Sequence, residues 1–142
     1  QVTSVRLLNQ KNEPLSWVIG GEDVILEIRC LAEKEIVRPI VGFQFKDRLG
    51  QIIFGDNTYL TNKFKNLSVK KGSEFVGRFE FRLPVLPIGD YSIMAAIAEG
   101  TQDNHIIHNW IHDALIIKSH SSSVCFGIVG IPMRKISLAP VI

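Results

Sequence analysis

Three histidines, His105, His108 and His112, fall within eight positions near a tryptophan, Trp110. Neutral imidazole is a common metal ligand, so this spacing raises the question of a metal site. On a strand His108 and His112 share a face, but they stand about 13 Å apart at ~3.3 Å per residue, too far for joint ligation, and no metal is assigned. The same residues suit a different task. A sugar ring presents a C–H face that packs on an aromatic plane, and hydroxyls that bond planar imidazole, amide, carboxylate or guanidinium groups. His108, Trp110 and His112 would project together from one side of a strand and offer that combination if the side is exposed. The competing arrangement buries Trp110 in the core and turns Ile107, Ile111 and Leu115 outward, and periodicity leaves both open. A second set is Arg78, Glu80 and Arg82 on the polar phase of an alternating segment, where an arginine fork matches a carboxylate or phosphate. Lys46 is a further cationic candidate, and an ordinary solvated sheet face is the alternative for all of them. The third set is Asn57, Thr58 and Tyr59, polar groups and a ring at a loop.

Catalytic signatures are missing. The chain has no Gly-rich Walker loop, no Gly-x-Ser-x-Gly elbow, no His-Glu-x-x-His and no Cys-x-x-Cys, so the expectation is a binding domain with neither enzymatic activity nor a cofactor. A formal charge of +2, with lysines and arginines spread along the chain, gives no basis for nucleic-acid binding. No segment approaches the run of ~20 apolar residues that a membrane-spanning helix needs. Cys30 and Cys125 lie in no metal-type spacing and are expected to be buried free thiols.

The elements that must position these residues read as strands. Residues 2–8 alternate Val5 and Leu7 against Ser4 and Arg6. Residues 23–31 place Val24, Leu26, Ile28 and Cys30 on one face and Glu27 and Arg29 on the other. Val41, Phe43 and Phe45 oppose Gln44 and Lys46, Asp47-Arg48-Leu49-Gly50 supplies turn chemistry, and residues 51–54 resume an apolar run, which together predict a hairpin. Pro39 suggests an edge position or a bulge, because proline cannot donate to a ladder. Residues 58–71 read as a loop with one short strand. Residues 75–83, 91–98, 106–118 and 124–129 complete the set. Seven to nine short strands without a helix predict an all-β, immunoglobulin-like antiparallel β-sandwich, with a jelly roll as the alternative. The sandwich is expected over residues 1–130, followed by a tail at 131–142.

The Gly42-Phe43 strand start, the Lys46-Asp47-Arg48-Leu49-Gly50 turn and the Phe54-Gly55-Asp56-Asn57-Thr58 exit resemble the C-terminal domain of the ATPase subunit of O-antigen polysaccharide ABC exporters (Wzt-type). Further matching pieces are Phe79-Glu80-Phe81-Arg82-Leu83, Leu86-Pro87-Ile88-Gly89-Asp90-Tyr91, Ala96-Ile97-Ala98-Glu99-Gly100 and Asn109-Trp110-Ile111-His112-Asp113-Ala114. The resemblance spans residues 2–126. It implies a non-catalytic domain that recognises the modified non-reducing terminus of a lipid-linked O-antigen polysaccharide (lipopolysaccharide export). Its implied setting is the cytoplasm, at the inner face of the inner membrane, with the membrane-spanning and ATPase parts of the transporter as partners. It also implies an excised upstream nucleotide-binding domain and a homodimer that exchanges its terminal strand, with residues 119–123 as the hinge. A protein-docking sandwich without glycan binding is the rival expectation.

Overall fold

Period-2 alternation over most of the chain is realised as two packed sheets. The computed structural model describes residues 1–62, 67–101, 105–120 and 127–140. In chain order the elements are β1 (Val2–Leu8), β2 (Trp17–Val18), β3 (Asp23–Leu31), β4 (Ile36–Val37), β5 (Pro39–Lys46), β6 (Ile52–Asn57), α1 (Tyr59–Asn62), β7 (Ser68–Val69), β8 (Glu74–Arg82), β9 (Gly89–Gly100) and β10 (His105–Ser119). One sheet has the order β1-β3-β8, the other β2-β10-β9-β5-β6, and β4 and β7 form a small ladder of their own. All pairings between these strands are antiparallel except that of β2 with β10, which is parallel over two residues. The fold is the expected β-sandwich.

Each sheet buries the apolar phase of its strands. Val24, Leu26, Ile28 and Cys30 of β3 face Val41, Phe43 and Phe45 of β5 and Tyr91, Ile93, Ala95 and Ile97 of β9, all in one core cluster. Burial pushes the Cys30 thiol up to about 11, which leaves it protonated and unreactive. Cys125 lies outside the described residues. Between the sheets Phe43 meets Phe79 at 4.9 Å between ring centroids, and within the five-stranded sheet Phe45 stacks on its cross-strand neighbour Phe54 at 4.9 Å, geometries that aromatic quadrupoles favour. Gly77 of β8 sits close against this layer: a Cβ there would lie 2.8 Å from Val41 Cγ1. Gly77→Val is therefore expected to destabilise the domain by about 1–3 kcal/mol through overpacking, read as a lower denaturation midpoint at unchanged m-value.

The β5–β6 hairpin closes as its residues predict. Asp47 Oδ1 accepts the N–H groups of Leu49 and Gln51, each at 2.9 Å, and Gly50 takes φ +83°. Pro39 departs from expectation. It is the first residue of β5, which lies inside its sheet between β9 and β6, and β6 begins to pair only at Gly42, so the missing N–H falls where the ladder has no partner to lose. The segment after β6 is also not purely loop, since it makes one helical turn, α1, before the short β7. Of the last predicted strand, residues 124–126 lie outside the described residues. Residues 127–129 belong to no strand, and Gly130 forms an isolated bridge with Val85.

Candidate functional site

The outer face of the five-stranded sheet is built by the other phase of the same strands. Register places Gly42 beside Ala96 and Ile40 beside Ala98, and Trp110 beside Ala96 and Ile107 beside Ala98. Three of these central side chains are small, so the sheet is hollowed there. A groove of about 440 Å³ results, with Met94, Ala96, Ala98 and Gly42 as its floor. Trp110, Ile107 and His105 of β10 border one side, and Gln44, Asp56 and Asn57 of the β5–β6 hairpin border the other. Trp110 is 43% exposed, whereas Ile111 and Leu115 pack against the core. The ring is outside, and the arrangement that buries Trp110 does not occur.

β10 does not keep strict alternation. Its register with β9 shifts between Ile107 and Asn109, where one extra residue reverses the phase of the strand beyond it, and again between Ile111 and Leu115, where two extra residues leave the phase unchanged. The first shift removes His108 from Trp110. His108 Nε2 lies 3.1 Å from Glu99 Oε1, and the other Glu99 oxygen accepts the Val37 N–H. Led by that backbone N–H, with His108 helping, these contacts hold the Glu99 carboxyl below its ordinary range. His108 thus ties β10 to β9 and β4, and the expected trio is reduced to a pair. The second shift carries Asp113 at φ +50°, and its neighbour His112 keeps its ring 5.7 Å from that of Trp110, tilted by 39°.

The remaining predicted residues separate as clearly. Asn57 lines the groove and accepts the Tyr59 N–H at 3.0 Å, so Tyr59 opens α1 just beyond the rim. Lys46 follows Gln44 on the same face, opposite Ser92, next to the groove and outside its lining. Arg78 and Arg82 belong to the outer face of the three-stranded sheet, on the far side of the sandwich. There Arg78 Nη1 donates to Glu27 Oε2 at 3.1 Å, and Arg82 Nε lies 3.4 Å from Asp23 Oδ1. Gln44, Asp56, Met94 and Ile107 are groove residues that the candidate sets omit, and His105, raised only for metal ligation, is another. For Gln44, Met94, His105 and Ile107 the signal was the phase shared with Gly42, Ala96 and Ala98, whereas Asp56 stands opposite Phe43 on the other phase, at the sheet edge. Among the described residues no three His, Cys, Asp or Glu side chains are grouped to hold a metal ion, and no helix is long and apolar enough to cross a membrane.

A β-sandwich with an open, aromatic-flanked groove on one sheet defines the class of domain. Its family follows from comparison: the chain belongs to the Wzt C-terminal domain family, whose model matches residues 1–131. The crystal structure of the C-terminal domain of Wzt superposes with a TM-score of 0.83 at 18% identity, covering 97% of this chain and 83% of that one. A Bacteroides uniformis beta-glucuronidase overlaps 77% of this chain and 12% of its own, with a TM-score of 0.46 at 12% identity. No curated protein matches the chain.

Proposed function

We propose that this domain binds carbohydrate without acting on it, and that the groove on the five-stranded sheet receives the modified non-reducing end of an O-antigen polysaccharide. The observation that carries this reading is the half-exposed Trp110 ring beside a floor of Gly42, Ala96 and Ala98. Such a floor leaves room for a pyranose, the ring offers a partner for its C–H face, and the Gln44 and Asn57 amides and the Asp56 carboxylate have the directional chemistry that hydroxyls need. His112 widens the aromatic border, and Lys46 and Tyr59 stand where the next sugar units would pass. Arg78 and Arg82, on the opposite sheet, have no part in this groove.

Membership in the Wzt C-terminal domain family supports the setting. The domain would act in the cytoplasm at the inner face of the inner membrane, joined to the ATPase and membrane-spanning parts of an ABC transporter, and couple glycan capture to export. A binding unit of residues 1–130 with a tail at 131–142 fits this role, as does a homodimer with an exchanged terminal strand. Exposed Ile128 and Val129, beyond the proposed hinge, supply apolar surface for such an exchange. Calorimetric titration with the host's polysaccharide, intact and with its terminal residue removed, is the test. Binding to the intact polymer alone is expected. Failure of the folded domain to bind either polymer would overturn the reading in favour of protein docking.

A further inference from the structure

The outer face of the three-stranded sheet carries a cluster that the groove does not use. Glu27, at the centre of β3, is 2% exposed, yet three arginines from three strands converge on it. Its Oε1 accepts Arg6 Nε and Nη2 at 3.2 and 2.6 Å and Arg29 Nε at 3.0 Å, and its Oε2 accepts Arg78 Nη1 at 3.1 Å. The Arg6 bond, ahead of the opposing effect of burial, holds the Glu27 carboxyl below the ordinary carboxylate range. One negative charge therefore serves three positive ones.

Both carboxylate oxygens are occupied, but the arginines are not. The side chains of Arg6, Arg29 and Arg78 remain 40%, 56% and 42% exposed, and both Nη groups of Arg29 stay outside the Glu27 contacts. A depression of about 260 Å³ lies against Arg29 and Arg78. Glu74 also borders it, from β8, two strands away from Arg6. Glu80 follows Arg78 on the same face, and Asp23 is taken by Arg82. Glu74 and Glu80 offset part of the positive charge, and what the cluster presents is the set of exposed guanidinium edges of Arg6, Arg29 and Arg78. A ligand there meets guanidinium groups already held in place, so it need not order them on binding.

We propose that this cluster is an oxyanion site that takes a phosphate group, free or carried on a sugar. Tetrahedral phosphate oxygens match the fork of a guanidinium bidentately, and the half-exposed edges of the three arginines leave N–H donors to meet them. The site is on the opposite sheet from the groove and does not depend on the carbohydrate reading. Its test is NMR titration of the chain with inorganic phosphate, pyrophosphate and glucose 1-phosphate, following the arginine Nε–H resonances, with glucose as the neutral control. Saturable shifts at Arg6, Arg29 and Arg78 with the phosphates, and none with glucose, are expected. A response to glucose 1-phosphate exceeding that to free phosphate assigns the sugar-borne source, and the reverse assigns the free ion.

Arg29→Gln, which leaves Glu27 paired with Arg6 and Arg78, should weaken phosphate binding at least tenfold while the fold, monitored by backbone amide spectra, is kept. Binding should also fall steeply between low salt and about 0.5 M NaCl. Absence of saturable shifts with all three phosphates, or an Arg29→Gln variant that binds as the parent does, would overturn the proposal.

Discussion

Glu27→Ala is expected to lower stability by about 2 kcal/mol, which for a domain of this size is a fall in Tm of roughly 5–8 °C. Deleting one partner of a buried ion pair costs about 3–5 kcal/mol, because the other charge is left uncompensated. Here the abandoned charges are three guanidinium groups, each roughly half exposed, and water restores part of their solvation. The remaining cost includes mutual repulsion among Arg6, Arg29 and Arg78 across β1, β3 and β8. Salt screens that repulsion, so the deficit of the variant should narrow as ionic strength rises. Glu27→Gln keeps an acceptor in place and should lose less.

The same carboxylate sets an acid limb of the stability curve. Its folded pKa is depressed below the ordinary 4.5, so as pH falls through 4.5 the unfolded chain takes up a proton before the folded one. Stability from Glu27 is therefore full above pH 4.5 and is lost as pH drops through the lower folded value. Glu99 shifts in the same direction, chiefly through the Val37 N–H, and its contribution is lost in the same sense. Chemical denaturation between pH 7 and 3 should show Glu27→Ala converging on the parent at the acid end. A gap that stays constant over that range would deny Glu27 its linkage role.

What the chain shows in its sequence and what it hides divide along a physical line. Strand phase was readable wherever period 2 runs unbroken. In β3, Val24, Leu26, Ile28 and Cys30 alternate with Asp23, Glu27 and Arg29, and the apolar set is the core. The β5–β6 turn was readable because Asp47 and Gly50 act locally. His108 was misplaced because it is itself the extra residue at a register shift in β10, and nothing in the residue types marks where that shift falls. Glu27 looked like a solvent-facing acid. It is buried by Arg6 and Arg78, 21 and 51 residues away in sequence, and only strand order brings them together. The groove floor was hidden for another reason. Gly42, Ala96 and Ala98 matter through the volume they leave empty, which the apolar pattern of β9 does not express.

Trp110→Ala is expected to weaken glycan binding by about 30-fold or more while leaving the fold intact. Aromatic anchors at binding sites are commonly worth ~2 kcal/mol or more on truncation, and Trp110 is the large planar group bordering the groove. Its stability cost should stay below about 1 kcal/mol, because the ring is 43% exposed on the outer face of its sheet and the core contacts of β10 come from Ile111, Leu115 and Ile117. Trp17 provides the internal comparison. It is the chain's other tryptophan, 58% exposed, and it sits on β2 with its ring 6.1 Å from that of His120, outside the groove lining. Trp17→Ala should therefore bind glycan as the parent does. Indole fluorescence gives a second readout: a glycan-induced change should persist in Trp17→Ala and vanish in Trp110→Ala. The opposite assignment, with the change lost on replacing Trp17, would move the glycan off the five-stranded face and onto the β2 edge.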